Sequence, residues 1–172
     1  VSLQGPGVAE LLHGQTTADF KGLSAGDVRY AAFCDPKGRV LADVRAVAIS
    51  EAEILLRGRA PVIERLTKHL KPFLMFARAT MSPTDWHISA ANTEQRATVA
   101  TLYFQADEIS AVVIPGEEGF EERWTAPSAA KRADAGSELS YFELQSARAR
   151  VETETIGAFL PQDLNFDLNG TV

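Results

Sequence analysis

The chain has 172 residues, of which 45% are hydrophobic and 23% are charged, and its formal net charge is −6. These values are typical of a globular protein with one domain or two small ones. The acidic balance argues against a broad phosphate-binding surface, which needs an excess of Lys and Arg, and leaves room only for a local basic patch.

Residues 1–81 are predicted to form a first α+β domain. Apolar residues at helical spacing predict a helix that begins near residue 8 and has Gly14 as its C-cap. A second short helical piece is expected over 17–23. Apolar and alternating runs then predict three strands, at residues 28–34, 40–49 and 53–57.

An amphipathic helix over residues 61–73 is the clearest prediction, because its apolar residues share one face and Pro61 stands near its first turn. Pro72 is expected to end this helix or to distort its last turn, since proline has no N–H to donate. A strand at 78–81 completes the domain.

The strand over 40–49 alternates, so its residues fall on two different faces. One face is wholly apolar and consists of Val40, Ala42, Val44, Ala46 and Ala48. The other face carries Asp43 and Arg45 among apolar neighbours. The pattern therefore predicts a core face and a face that presents one carboxylate and one guanidinium.

Residues 82–136 are predicted to form a second, ferredoxin-like domain. Its expected order is β-α-β-β, with a strand at 86–90, a helix at 92–104 and strands at 109–114 and 120–125. Residues 127–136 are interpreted as a helix or linker. Residues 137–172 are expected to supply a helix to about Arg150 and then an irregular segment that returns to the first domain.

Several kinds of site find no support in the sequence. The three histidines are scattered, and none stands at ligand spacing from Cys34, so no metal site is predicted. Cys34 has no neighbouring His and is interpreted as structural.

A single cysteine excludes an intrachain disulfide and favours a reducing, cytoplasmic compartment. No apolar run approaches the length of a membrane span, so no membrane contact is expected.

Three segments carry a resemblance to a known family. They are Gly-Gln-Thr-Thr-Ala-Asp-Phe at 14–20, Ala-Ala-Phe-Cys-Asp-Pro-Lys-Gly-Arg at 31–39 and Phe-Leu-Pro-Gln-Asp-Leu-Asn-Phe at 159–166. Together they resemble the YgfZ branch of the folate-binding, GcvT-like aminomethyltransferase superfamily. Without the resemblance, the polar residues of the first segment would be expected to cap backbone N–H groups. Asp35 and Lys37 of the second segment would be expected to form a solvated turn.

The resemblance implies a ring of domains around a channel that holds tetrahydrofolate. The first two domains would be α+β with ferredoxin-like character, and the C-terminal β-barrel of the family is absent from this chain. The family's cysteine motif follows a segment similar to 165–170. We therefore expect the native protein to continue past Val172.

The resemblance also implies a folate site. Tyr30 matches a tyrosine that contacts folate in the family. The Asp43 carboxylate is suited to accept hydrogen bonds from the N–H donors of the folate ring, and the Arg45 guanidinium is suited to bind the carboxylates of the folate glutamate tail. Members of the YgfZ branch often carry an aromatic residue just before the matching helix. Tyr141 is the nearest candidate for that residue and is the fourth predicted folate-binding residue. The alternative to folate binding, for Tyr30, Asp43 and Arg45, is that each is an ordinary surface residue of its strand. Ala42 matches the first of two adjacent aspartates in the transferase relatives, which is expected to be the catalytic one.

Three functions remain open. The leading prediction is a tetrahydrofolate-binding accessory protein that supports iron–sulfur enzymes and, through them, tRNA modification, without binding nucleic acid itself. The first alternative is a folate-dependent aminomethyltransferase, which the alanine at position 42 argues against, so no catalytic residue is assigned. The second alternative is an interaction module without a small ligand.

Overall fold

A computed structural model of the chain describes residues 1–92, 100–105, 108–115, 120–128 and 149–172. The fold is α+β and has two compact units. Among described residues, the first unit contains 1–25, 29–83 and 149–172, and the second contains 26–28 and the remainder from Thr84.

The first unit is built on a five-stranded sheet. Its elements in chain order are β1 (Ser2–Gln4), α1 (Val8–Gln15), β2 (Val28–Cys34), β3 (Val40–Ser50), β4 (Glu53–Arg57), α2 (Ala60–Phe76) and β5 (Thr80–Ser82). The strand order is β2-β3-β4-β1-β5. Two short 3-10 turns, Thr153–Thr155 and Pro161–Leu164, lie in the irregular final segment.

The core of this unit follows from the alternation in β3. Val40, Ala42, Val44 and Ala46 are buried together with the apolar faces of α1 and α2. Val151 and Phe166, from the final segment, are buried in the same cluster. The final segment therefore contributes side chains to this hydrophobic core.

The second unit contains a four-stranded antiparallel sheet. Its strands are β6 (His87–Asn92), β7 (Thr101–Gln105), β8 (Glu108–Pro115) and β9 (Phe120–Thr125), in the order β6-β9-β8-β7. Trp124 and Glu122 share a face of β9, and both are fully or almost fully buried. The Trp124 indole Nε1–H donates to Glu122 Oε1 at 2.5 Å, which satisfies part of the hydrogen-bonding need of a buried carboxylate.

Most predicted elements of the first domain are confirmed, including the strands at 28–34 and 53–57 and the irregular final segment. Gly14 is not a C-cap, because α1 continues to Gln15. The helix predicted over 17–23 is wrong. Thr17 and Asp19 bond backbone N–H groups with their side chains there, which competes with helix formation.

Two further predictions about helices need correction. Pro72 does not end α2, which runs on to Phe76, because Pro72 lies on an exposed stretch where solvent can replace the lost bond. The helix predicted over 92–104 is wrong at residues 101–104, which belong to β7, where Thr, Tyr and Phe favour strand pairing with β8. Residues 93–99 and 129–148 lie outside the described residues, and the ferredoxin-like arrangement stays a prediction.

The Gly5-Pro6-Gly7 turn is required by a close approach of two backbones. A Cβ on Gly7 would lie 2.4 Å from the carbonyl oxygen of Ala77, and one on Gly5 would lie 2.3 Å from that of Arg78. Distances this short oblige the backbone to move. The turn therefore fixes where α1 begins relative to the end of α2.

We expect Gly7→Ala to lower the free energy of unfolding by about 1–3 kcal/mol through this overpacking. Gly14→Ala is the matched control, because nothing lies within 4 Å of its added Cβ. In a helix that change should be neutral or raise stability by about 0.5–1 kcal/mol. Urea denaturation of both variants measures the difference, and equal effects would contradict the packing argument.

Candidate functional site

The first two motif segments and the last residues of the chain meet at one hydroxyl. Thr17 Oγ1 accepts from the backbone N–H of Ala32 at 3.0 Å and donates to the backbone carbonyl of Thr171 at 2.6 Å. The Thr17 N–H donates to the Ala32 carbonyl at 3.0 Å. The predicted backbone-capping role of this segment is thus confirmed, and it extends to the far end of the chain.

The hairpin between β2 and β3 holds the other end of the final segment. Val40 N–H donates to the Phe159 carbonyl, and Gly157 N–H donates to the Val40 carbonyl, both at 2.8 Å. Arg39 Nη1 donates to the Ala158 carbonyl at 2.7 Å. We call residues 149–160 the return strap. Arg39, at the end of the second motif segment, and the adjacent Val40 therefore bind backbone groups at or just before the start of the third segment.

Asp35 stabilises the turn of this hairpin, as its solvated-turn interpretation predicted. Its Oδ1 accepts from the N–H groups of Lys37 and Arg39 at 2.8 and 2.9 Å. Gly38 has a φ of 78°, a left-handed conformation that glycine adopts without steric cost. The hairpin residues thus shape the surface that receives the return strap.

Two of the predicted site residues are in direct contact. The guanidinium carbon of Arg45 lies 4.3 Å from the centroid of the Tyr30 ring, which is cation–π geometry. Arg45 is only 6% exposed. Its guanidinium is therefore held against the ring, and it offers a ligand little accessible surface.

The third predicted residue, Asp43, contacts the return strap. Its Oδ1 accepts from the backbone N–H of Val151 at 2.8 Å, across 108 positions of sequence. Burial raises the pKa of the Asp43 carboxyl above its ordinary 3.8, and this outweighs the opposing effects of the Val151 N–H, Arg150 and Arg57. Asp43 therefore has a structural role that the sequence did not predict.

Cations surround Asp43 on the side away from the core. Arg57 stands opposite Arg45 in the β3–β4 register. Arg59 forms an ion pair with Glu152 of the strap at 2.6 Å. Burial, followed by the charges of Arg59 and Arg57, lowers the pKa of Arg150. Sequence analysis missed these three arginines, although Arg57 and Arg59 flank a glycine directly after a predicted strand.

Ala42 lies on the opposite face of β3 from Asp43. It is fully buried in the hydrophobic core. A carboxylate at this position would not reach the face that carries Asp43 and Arg45. The expectation that the chain is not a glycine-cleavage aminomethyltransferase, which rested on Ala42, stays a prediction.

The remaining predictions about the site concern other parts of the chain. Tyr141 lies outside the described residues. Within the described ranges, no group of three or more His, Cys, Asp and Glu side chains is arranged to hold a metal ion. No helix in the described part of the chain is long and apolar enough to cross a bilayer.

Comparisons with known proteins find similarity to YgfZ proteins over part of this chain and part of each relative. A YgfZ tRNA-modifying protein from Colwellia psychrerythraea is 36% identical over 81 residues, which are 47% of this chain and 25% of the relative. The corresponding protein from Blochmanniella pennsylvanica is 28% identical over 83 residues, 48% of this chain and 25% of the relative. No protein-family model matches the chain.

Two longer matches exist. An uncharacterized protein from Haemophilus influenzae is 23% identical over 172 residues, 96% of this chain and 56% of the relative. The structure of glycine cleavage system aminomethyltransferase T from Bartonella henselae matches 83% of this chain with a TM-score of 0.60 and 13% identity, and so shares the fold. The chain spans 42% of that protein, and between a quarter and just over half of the sequence relatives above.

Thr17→Val should lower the free energy of unfolding by about 1–3 kcal/mol, because it removes the hydrogen bonds that the Thr17 hydroxyl makes with the Ala32 N–H and the Thr171 carbonyl. Thr67→Val is the control, since Thr67 Oγ1 donates only to Ile63 within α2. That change should stay within about 0.5 kcal/mol. Chemical denaturation measures both, and similar losses would show that the bridge by Thr17 is unimportant.

Asp43→Asn tests the raised pKa. A carboxyl with a raised native pKa contributes stability that is present below pH 3.8 and is lost as the pH rises through the native pKa. The stability of the wild type relative to Asp43→Asn should therefore fall as the pH rises above 3.8 and passes through the raised native pKa.

Glu64→Gln is the control for this pH series. The hydrogen bond from Lys68 lowers the pKa of Glu64, so its contribution has the opposite sign and is lost as the pH falls. Urea denaturation across the pH range gives the three curves. A wild-type advantage over Asp43→Asn that stays constant or grows with pH would contradict the assignment.

Proposed function

Because part of this chain is homologous to proteins named tRNA-modifying protein YgfZ, we propose that it supplies the folate-binding region of an accessory protein of that kind. The observation that carries the proposal is the convergence of Tyr30, Asp43 and Arg45 on the side of β3 that faces away from the core. The shared fold with an aminomethyltransferase supports it. The ligand proposed is tetrahydrofolate.

The chemistry of these residues suits a reduced folate. The ring of such a ligand presents N–H donors and a flat surface, and its tail carries carboxylates. Asp43 supplies a carboxylate acceptor, and its Oδ1 also receives the Val151 N–H. Tyr30 supplies an aromatic surface that Arg45 orients from one side.

The tail carboxylates are better matched to cations other than Arg45. Arg45 is almost fully buried against Tyr30, whereas Arg59 is exposed, and Arg57 and Arg150 are partly exposed. Arginine binds carboxylates through paired N–H donors, which gives both strength and orientation. We therefore assign the tail to these arginines and give Arg45 the role of positioning Tyr30.

Aminomethyl transfer is kept as a second candidate because of the position of Ala42. The alanine is buried in the core, so the loss of a carboxylate there does not remove a group from the ligand face. Asp43, a carboxyl with a raised pKa, is on that face and is chemically able to handle a proton. Assistance to iron–sulfur enzymes, a role in tRNA modification and a cytoplasmic location stay predictions.

Calorimetric titration of the intact protein with tetrahydrofolate tests the proposal. Asp43→Asn should weaken binding by about 1–3 kcal/mol through the loss of a charge-assisted bond. The asparagine oxygen is still able to accept the hydrogen bond from the Val151 N–H, so the contact with the return strap is kept. A change in affinity therefore measures the effect of the lost negative charge. Glu64→Gln makes the same chemical change at an exposed site on α2 and should leave affinity unaltered.

Two results would reject the proposed site. One is the absence of detectable binding by the wild-type protein. The other is equal affinity in wild type and Asp43→Asn while both remain folded by circular dichroism. Turnover in a methylene-tetrahydrofolate assay that is lost in Asp43→Asn would favour the transferase.

A further inference from the structure

Two adjacent residues of the return strap each contact one polar group of the proposed folate site. Val151 donates its N–H to Asp43 Oδ1 at 2.8 Å, and the next residue, Glu152, places its Oε1 2.6 Å from Arg59 Nη2. Asp43 is the proposed acceptor for the folate ring, and Arg59 is one of the cations proposed for the tail. The second contact resembles the one expected of the ligand, because Glu152 presents a glutamate carboxylate to a guanidinium.

The chain directly before α2 brings Arg59 close to Asp43. A Cβ on Gly58 would lie 3.1 Å from the Asp43 carbonyl oxygen and 2.9 Å from Ile63 Cδ1, so the backbone passes against β3 at this point. The pKa of the Arg59 guanidinium is raised, first by its hydrogen bond with Glu152 and then by the charges of Glu152 and Asp43. Arg59 is therefore positioned beside both carboxylates by the path of the chain as well as by its ion pair.

Positive charge is concentrated around this ion pair. Burial lowers the pKa of Arg150, and the charges of Arg59 and Arg57 lower it further. These guanidiniums repel one another, since arginine keeps its charge at neutral pH. The charge of Glu152 opposes this effect on Arg150. The cluster therefore favours a carboxylate at this place, whether it comes from Glu152 or from a ligand.

The Glu152 side chain is able to leave Arg59 without unfolding the strap. The two side chains are 43% and 48% exposed, and ion pairs this exposed contribute little to stability. Other groups close the turn at Glu152. Its N–H donates to Thr155 Oγ1 at 2.9 Å, and the Thr155 N–H donates to the Glu152 carbonyl at 3.0 Å. The backbone of the turn is thus held independently of the Glu152 carboxylate.

We propose that Glu152 is an internal substitute for the carboxylate of the ligand, and that a folate tail displaces it from Arg59. Glu152 is then a specificity-determining residue. A ligand with carboxylates replaces it on the arginines, whereas a pterin without a tail leaves the ion pair in place and gains nothing there. The inference rests on the proposed folate site, and it names the ligand class that the site selects: reduced pterins that carry carboxylates.

Calorimetric titration of the intact protein with three ligands tests this exchange. They are tetrahydrofolate, a tetrahydropterin without a tail, and a short glutamate oligomer that represents the tail alone. Glu152→Gln should tighten binding of tetrahydrofolate and of the oligomer by about threefold to fivefold, because an exposed ion pair no longer competes with the ligand. It should leave the affinity for the tail-less pterin unchanged.

Two further variants locate the effect at Arg59. Glu154→Gln is the matched control, because it removes the same charge from an exposed residue of the same turn. It should leave all three affinities nearly unchanged, since solvent and salt screen an exposed charge. Arg59→Gln should weaken tetrahydrofolate binding by about tenfold. In that background Glu152→Gln should have no further effect, because the two residues act as a pair.

The inference is overturned if Glu152→Gln weakens binding of the tail-bearing ligands or leaves it equal to that of the wild type. Equal weakening of all three ligands, with a lower free energy of unfolding, would give Glu152 a purely structural role in the strap. Failure of the folate site itself gives a different result, in which neither tetrahydrofolate nor the tail-less pterin binds the wild type. The glutamate oligomer then decides the exchange at Arg59, and if no ligand binds either form, both proposals are rejected.

Discussion

The return of the final segment to the first sheet is the constraint on which the site depends. Residues far apart in sequence are joined by backbone bonds at Val40, by the Thr17 hydroxyl and by the Asp43 carboxylate. Val151 and Phe166 add apolar burial to these polar links. Because each link uses a different part of the final segment, residues 149–172 are held at several points along their length.

This arrangement gives the three motif segments a physical explanation. Polar side chains of the first two segments satisfy backbone groups of the second segment and of residues on either side of the third. Thr17 bonds Ala32 and Thr171, and Arg39 bonds Ala158. Such bonds need donors and acceptors at fixed positions, which is why the segments carry specific side chains in loops. The same links hold Arg150 and Glu152 beside β3, so the scaffold and the proposed ligand face are built from shared residues.

The proposed ligand face holds charged side chains in partly or almost fully buried positions, where a charged group is poorly solvated. A half-buried carboxyl with a raised pKa lies among arginines, and Arg45 is buried against an aromatic ring. Charged groups in such positions cost free energy unless they are paired. Arg78 is a second position where stability is reduced, through backbone conformation. Both positions are in the first unit.

The sequence alone determined the elements whose pattern is local. Alternation in β3 separated the core face from the face of Asp43 and Arg45, and helical spacing located α1 and α2. Tertiary structure decided what depends on distant partners. Pairing with β8 made a strand of Thr101–Gln105, where a helix was predicted, and side-chain bonds of Thr17 and Asp19 prevented helix formation after α1. Tertiary structure also brought Val151 to Asp43 and put Ala42 inside the core, because these contacts join residues whose separation no local period encodes.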